Sequence, residues 1–239
     1  MKATVIVTRP EPDASAFADL CRAHGLEPVL SPVMTIQHDS ASADLSGVGA
    51  LAFTSANGVR AFAATCGERN LPVFAVGKVT GEAARAAGFS DIYAADGDAQ
   101  SLADHIASEN AIVAKGLLHI AGEDRAGDLI ALLAERGISA RRQTLYRALP
   151  ATRLSDGAVA ALKDENQSVW VSLFSPRSAR LFVALAERAG LRDTLGRLRA
   201  ACLSAAVAEA AGPDWAGAAT VPDRTAQSLV ALIAAQARA

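Results

Sequence analysis

Cysteine is scarce in this chain and follows no pattern. Cys21, Cys66 and Cys202 are odd in number and far apart, with no C-x-x-C spacing for a metal or redox centre, so all three are expected as buried thiols. Histidine is equally sparse. His24, His38, His105 and His119 never meet another ligand at i, i+4 spacing, which argues against a metal site, and His119 at a strand end reads as a core or rim residue. There is no G-x-x-x-x-G-K-[ST] sequence and no G-x-G-x-x-G after the first apolar run, so the usual cradles for nucleotide phosphates are missing and no nucleotide cofactor is expected. No G-x-S-x-G elbow supports a serine nucleophile. Charge of one sign is lacking as well. Lys and Arg number 23 against 25 Asp and Glu, a net charge of -2, without the basic excess that nucleic-acid binding needs. Hydrophobic residues at 51% and charged residues at 20% fit neither a disordered nor a membrane protein. Met1-Lys2-Ala3-Thr4-Val5-Ile6-Val7 is a short apolar run that gives way to Thr8-Arg9-Pro10, with no signal-like segment, so a cytoplasmic location is expected.

What the chain does have is alternation. Short apolar runs alternate with alanine- and leucine-rich stretches of helical period, the pattern in which helices return each strand to a parallel neighbour. The class is α/β, and 239 residues suit two domains. Strands are expected near Ala3–Thr8, Glu27–Leu30, Ala50–Phe53, Val73–Val76, Asp91–Ala94, Gly116–Ile120, Ala140–Leu145, Ser168–Phe174, Ala200–Leu203 and Ala218–Val221. That set suits two five-stranded sheets. Leu129-Ile130, Leu132-Leu133 and Ile138 mark one apolar helix face that Gly137 terminates, and Gly25 and Gly190 end other helices. In Phe174-Ser175-Pro176-Arg177 a serine stands at an N-cap and a proline at the first helical position, a clear strand-to-helix junction.

The two halves also resemble each other. Val5-Ile6-Val7-Thr8 leading to Leu20 and Gly25 is similar to Leu118-His119-Ile120-Ala121 leading to Leu132 and Gly137. Phe53-Thr54-Ser55 with Arg60-Ala61-Phe62 matches Phe174-Ser175-Pro176 with Leu181-Phe182. Val76-Gly77, Glu82-Ala83-Ala84 and Ser101-Leu102 match Leu203-Ser204, Glu209-Ala210-Ala211 and Ser228-Leu229. Three blocks recur in one order, as in a duplicated α/β domain whose loops have lengthened; shared α/β grammar is the alternative.

Ligands of such folds bind at the carboxyl ends of parallel strands, where helix N-termini present N–H groups and a partial positive charge. The segments at those ends are Thr8-Arg9-Pro10, Thr54-Ser55-Ala56-Asn57-Gly58, Val76-Gly77-Lys78-Val79-Thr80, Ala121-Gly122-Glu123-Asp124-Arg125, Ser175-Pro176-Arg177-Ser178 and Leu203-Ser204. Each alone reads as an N-cap. Together they favour a ligand cleft, and their Arg and Lys would complement an anion such as a carboxylate. Tyr146 ends the run Gln143-Thr144-Leu145-Tyr146 before the linker-like Ala148-Leu149-Pro150. It reads either as an aromatic packed at a hinge or as a phenol able to donate a proton.

In order and over essentially the whole chain, these blocks resemble the uroporphyrinogen-III synthase family. The resemblance rests on Val7-Thr8-Arg9-Pro10, Leu30-Ser31-Pro32, Phe53-Thr54-Ser55-Ala56-Asn57-Gly58-Val59, Val76-Gly77-Lys78-Val79-Thr80, the Gly122 and Tyr146 segments, and Phe174-Ser175-Pro176. It implies two flavodoxin-like or Rossmann-like parallel-sheet domains with exchanged connectivity. Residues 1–35 and 148–239 would form one and 36–147 the other, joined by linker strands near 35–38 and 145–149 that let the cleft open and close. The implied substrate is hydroxymethylbilane, a linear tetrapyrrole with eight carboxylate side chains. Its terminal hydroxyl leaves as water, the last ring attacks through its substituted carbon to give a spiro intermediate, and the macrocycle recloses with that ring inverted. No cofactor and no metal are implied.

Residue by residue, Tyr146 matches the family's tyrosine and would assist departure of the hydroxyl. Ser55, Thr80 and Ser175 match hydroxyl positions at the cleft. Backbone N–H groups of Asn57, Gly58, Gly77, Lys78 and Gly122 would hold carboxylates, with Arg9 adding a charge. Where the family often has Gly-Pro and a threonine, this chain has Ser204-Ala205 and Val207. Ser204 is retained as a substrate-binding residue and Val207 is not. A monomer with no nucleic-acid or membrane partner is expected, and a transient contact with the preceding pathway enzyme stays open. The competing reading is a non-catalytic two-domain protein that closes on a small anion.

Overall fold

Most strands form where short β-branched and apolar runs predict them, and most are followed by a helix whose apolar face covers the sheet. The computed structural model describes residues 2–124 and 128–238. In chain order its elements are β1 (Thr4–Val7), α1 (Asp13–Ala23), β2 (Glu27–Leu30), β3 (Met34–His38), β4 (Ala50–Phe53), α2 (Ala56–Thr65), β5 (Val73–Ala75), α3 (Lys78–Ala86), β6 (Ile92–Ala94), α4 (Ala99–Ser108), α5 (Asn110–Val113), β7 (Leu117–Gly122) and α6 (Leu129–Glu135). There follow β8 (Ala140–Pro150), α7 (Asp156–Lys163), β9 (Val169–Leu173), α8 (Pro176–Arg188), a 3-10 turn at Arg192–Arg197, β10 (Arg199–Cys202), α9 (Ala205–Ala211), β11 (Gly217–Thr220) and α10 (Ala226–Gln236).

Contacts divide the chain into two units, Met1–Thr35 with Leu149–Ala239 and Ile36–Ala148. The first holds a five-stranded sheet ordered β11-β10-β9-β1-β2, all pairs parallel. Read from β2 this is the 2-1-3-4-5 path of flavodoxin-like folds, with its topological switch between β1 and β9. Two buried hydroxyls stitch that junction: Thr8 Oγ1 donates to the Ser172 carbonyl at 2.6 Å and Ser172 Oγ to the Ile6 carbonyl at 3.0 Å. On one face Val5, Val7 and Trp170 pack with Phe17 and Cys21 of α1 and with Leu229, Val230 and Ile233 of α10.

The second unit holds the sheet β3-β8-β7-β4-β5-β6. Without β3 its path repeats that of the first, with β7 and β8 standing where β1 and β2 stand. The sequence repeat is thus a spatial one, but in the first unit the two-strand piece precedes its three companions in the chain and in the second it follows them. That is the exchanged connectivity. Alternate strand residues point to opposite faces. Ala50, Ala52 and Phe74 meet Leu102 and Ile106 of α4 and Leu133 of α6, while Leu51, Phe53, Leu118 and Ile120 meet Val59 and Phe62 of α2 and Phe89. Fully burying each such Leu or Phe side chain contributes roughly 1.5–3 kcal/mol.

Three expectations need correction. The sheets are five- and six-stranded rather than both five-stranded, because β3 joins the second. Its half-exposed, polar residues hide it from an apolar-run criterion. The strand expected to stop at Leu145 continues to Pro150 as one strand of 11 residues, so the expected linker at 145–149 is its second half. Cys21 and Cys202 are buried as expected, but Cys66 at the end of α2 is only half-buried.

Candidate functional site

In the second unit the switch between β4 and β7 brings the N-terminus of α2 to the carboxyl edge of the sheet. Ser55 is extended (φ -160°) and caps α2, its hydroxyl accepting the Asn57 N–H at 3.1 Å. The Gly58 N–H donates to the Ser55 carbonyl at 3.0 Å. Both N–H groups expected to hold carboxylates are therefore engaged inside the cap, which leaves the Ser55 hydroxyl hydrogen and the dipole of the helix facing outward. Gly58 has a packing reason as well, since a Cβ there would lie 3.1 Å from the Ile120 carbonyl oxygen.

One strand further out, α3 begins without a side-chain cap because Gly77 is its N-cap. Gly77 offers no side-chain acceptor to the first-turn N–H groups, which suits this terminus to an anion better than the Ser55-capped one. Lys78 projects from it, 89% exposed and 3.9 Å from Glu82. Thr80 is buried in its third position. Val79 between them is 62% exposed, one of two large apolar side chains exposed among the described residues. The sequence pattern does not single out Val79, which stands between two of the candidates in the first turn of α3.

At the other side of the switch, β7 and β8 run in register from Leu117↔Ala140 to Ala121↔Thr144, then slip so that Gly122 pairs with Tyr146. The extra residue, Leu145, makes a β-bulge, a device that re-aims a side chain. Leu145 and Tyr146, which would face opposite ways in a regular strand, both pack against the cluster of Leu51, Phe53 and Phe62. The Tyr146 ring then lies over the backbone of Gly122. A Cβ at Gly122 would stand 2.8 Å from Tyr146 Cε2 and Cζ and 3.0 Å from its hydroxyl oxygen. The bulge is held from both strands: the Glu123 N–H donates to the Tyr146 carbonyl at 2.9 Å, and Arg142 donates one Nη to the Gly122 carbonyl and the other to Thr144 Oγ1 at 2.9 Å. Tyr146 lines a recess of about 140 Å³ with Asp39, Glu123, Thr144 and Arg147. Gly122 is buried in the end of β7 rather than in a loop. Arg125, expected nearby, lies outside the described residues.

His119 is buried on the opposite face of β7, beside Arg142 on β8, with Nε2 3.0 Å from Thr54 Oγ1. Nδ1 has no partner among the described residues. Burial, and after it the Arg142 guanidinium, pushes this imidazole down to about 4 against a smaller opposing pull from Asp128. The ring is neutral near pH 7, a core residue that ties β7 to β4 where Thr8 and Ser172 tie β1 to β9.

The first unit carries the remaining candidates at its own switch. Arg9, just after β1, is held by Asp13 at 2.8 Å and lies 4.4 Å from the centroid of the Phe174 ring, the residue before the α8 cap. Ser175 forms a capping box with Ser178, accepting its N–H at 3.1 Å while Ser178 Oγ accepts the Ser175 N–H at 3.0 Å. Ser204 stands at the N-cap of α9 without making a side-chain cap bond. Each unit therefore has one serine-capped helix beside its switch and one terminus without a side-chain cap next to it. Within the first unit Arg9 and Ser175 are neighbours through Phe174, and Ser204 follows the adjacent strand. Within the second, Tyr146 lies in β8 and Gly122 at the end of β7, while Ser55 and Gly77 follow β4 and β5, three strand spacings or about 15 Å across the sheet. Among the described residues no group of three or more His, Cys, Asp or Glu converges to hold a metal, and no helix is long and apolar enough to cross a membrane.

The family model described as "Uroporphyrinogen-III synthase HemD" matches residues 15–231. Among solved structures, a uroporphyrinogen-III synthetase from Helicobacter pylori aligns over 99% of this chain and 100% of its own, with TM-score 0.68 and 14% identity. A mutant uroporphyrinogen III synthase from Thermus thermophilus aligns over 99% of each chain, with TM-score 0.54 and 18% identity. At these identities the structural likeness is one of fold. No curated protein matches the sequence.

Proposed function

The chain belongs to the uroporphyrinogen-III synthase family, cyclising lyases of haem biosynthesis, and we propose from its site how it acts on hydroxymethylbilane. The observation that carries the reading is the Tyr146 phenol, aimed by a bulge over a bare glycine at the carboxyl edge of the sheet. Tyr146 donates its proton to the departing hydroxyl, which leaves as water while the adjacent pyrrole nitrogen, keeping its hydrogen, supplies the electron pair and an azafulvenium cation forms. The substituted carbon of the last ring attacks it to give the spiro intermediate. Fragmentation and reclosure at the other carbon invert that ring, and the proton lost as the pyrrole regains aromaticity returns to the tyrosinate. The pyrroles carry the electrons, so the scheme calls for no cofactor.

The protein's tasks are positioning and acid assistance. In the second unit the N-terminus of α3 receives a substrate carboxylate through backbone N–H groups, Lys78 adds charge and the Ser55 hydroxyl donates from its cap; in the first unit Arg9 adds charge and the Ser175 hydroxyl donates. Ser204 supplies a further hydroxyl, while Thr80 is buried in the first turn of α3. Val79 gives a pyrrole edge an apolar surface. We read the protein as a cytoplasmic monomer that meets the preceding pathway enzyme transiently. The scarcity of exposed large apolar side chains among the described residues supports the monomer.

The test is to add the purified protein to freshly generated hydroxymethylbilane, oxidise the products and resolve the porphyrin isomers. The expected product is mainly isomer III, and Tyr146→Phe lowers its rate of formation by about a hundredfold. Isomer I alone from folded protein would overturn the catalytic reading in favour of an anion-binding protein.

A further inference from the structure

We propose that Gly122 and Arg142 are positioning residues for the Tyr146 phenol, Gly122 by having no side chain and Arg142 by fixing the carbonyl beneath the ring. The inference rests on the reading of Tyr146 as proton donor. Its geometry stands without that reading. The close approach at Gly122 is to Cε2, Cζ and Oη, the far end of a side chain that can swing, and not to rigid backbone. A methyl group there leaves the fold intact and pushes the phenol aside, the one part of Tyr146 that matters for proton transfer. Displacements of about 1 Å are enough to cost a catalytic group up to a hundredfold in rate.

Arg142 acts on the same seat from the other face of the sheet. Its guanidinium spans the slipped register, bonding Gly122 on β7 and Thr144 on β8, the last pair before the bulge on one side and the glycine after it on the other. The planar fork reaches both acceptors at once, which lysine cannot do. Beside it the slip is held by backbone bonds, among them Glu123 N–H to the Tyr146 carbonyl. A register return by one residue would turn the Tyr146 side chain to the opposite face. Ring closure is a contest between two carbons of the last pyrrole, so a phenol held in one place bears on which isomer forms as well as on the rate.

The experiment is a double-mutant cycle. Gly122→Ala and Arg142→Met are each made in the natural chain and in the Tyr146→Phe chain, and kcat, KM, the ratio of isomers III and I and the melting temperature are measured for all. In the natural chain each variant is expected to lower kcat about tenfold, with KM within about twofold and the melting temperature of Gly122→Ala nearly unchanged. In the Tyr146→Phe chain neither change lowers kcat further by more than about twofold, because the group being positioned is already gone. Arg142→Lys recovers only part of the loss. Equal losses in both backgrounds, or full activity of Gly122→Ala, would overturn the positioning role while leaving Tyr146 as donor. An unimpaired Tyr146→Phe enzyme would instead remove the donor reading itself, and this inference with it.

Discussion

His119 Nε2 lies 3.0 Å from the Thr54 hydroxyl oxygen, across the junction of β7 with β4 in the centre of its sheet. The bond ties together the two strands whose ends carry Gly122 and Ser55. The ring is buried beside a guanidinium, so its charged form is disfavoured in the folded protein.

That relationship fixes a pH dependence. With the folded imidazole pushed down to about 4 and the unfolded one near 6.5, the unfolded chain binds the extra proton between these values. The stability is complete above pH 6.5 and is lost as pH falls toward 4, by up to about 3 kcal/mol. Asp44 shifts in the same direction for a different reason: hydrogen bonds from Ser46 and Arg141 favour its charged carboxylate, so its contribution is lost only below the ordinary carboxylate range. Urea midpoints measured from pH 7 to pH 4 should therefore slope downward in the natural protein and flatten in His119→Gln. A slope that survives the substitution would assign the acid sensitivity elsewhere.

Ser175 has two roles that one pair of variants separates. Ser175→Ala removes an N-cap and half a capping box from α8 and should cost about 1 kcal/mol. Ser175→Asp restores the cap, since aspartate serves that position equally well, but sets a negative charge against substrate carboxylates. The expected pattern is a lowered melting temperature for Ala, a recovered one for Asp, and a KM raised several-fold for Asp. A KM unchanged in Ser175→Asp would remove this helix terminus from the binding site.

The three thiols should differ in reactivity. Burial pushes the Cys21 thiol up to about 12 and that of Cys202 up to about 11, while Cys66 is half-buried at the end of α2. Thiolate is the reactive form. Brief alkylation of native protein at pH 8, read by mass spectrometry, should label Cys66 and spare the other two. Labelling of Cys21 at a comparable rate would mean that α1 opens from its sheet on that timescale.

Much of the architecture is legible from local pattern. Thr4–Val7 and Ala50–Phe53 are apolar or β-prone runs, and a strand buried on both faces leaves that signature. Gly25, Gly137 and Gly190 end their helices with positive φ because a left-handed residue is needed there. β3 is different. Its alternating, mostly polar residues become a strand only because β8 offers an edge to pair with, and the family resemblance, not periodicity, points to it. Strand order is equally non-local. No feature of Val5-Ile6-Val7 says that its neighbour is Trp170-Val171-Ser172, although the repeated blocks hint at it.

The site divides in the same way. Ser55, Ser175 and Gly77 are readable because caps have a local grammar, and the structure places each at a helix N-terminus. What the local grammar does not reveal is where each N–H turns, so Asn57 and Gly58 look open in sequence and are taken up by Ser55 in space. Arg142 is the instructive omission. A period of two sets Arg142, Thr144 and Tyr146 on one face, and only the slip at Leu145 separates the tyrosine from the arginine that holds its seat.

The exchanged order of the two units has a consequence for synthesis on the ribosome. Residues 36–148 are contiguous, so their sheet can close as soon as they have emerged. β1 must instead wait for β9, whose Val169 pairs with Thr4. At about 5–20 residues per second that delay is on the order of ten seconds or more. During it the first strand, with Val5, Ile6 and Val7 destined for burial, has β2 on one side and an unpaired edge on the other. An exposed strand edge of that kind is what chaperones recognise, so the nascent N-terminus is the stretch of this chain most dependent on protection before release.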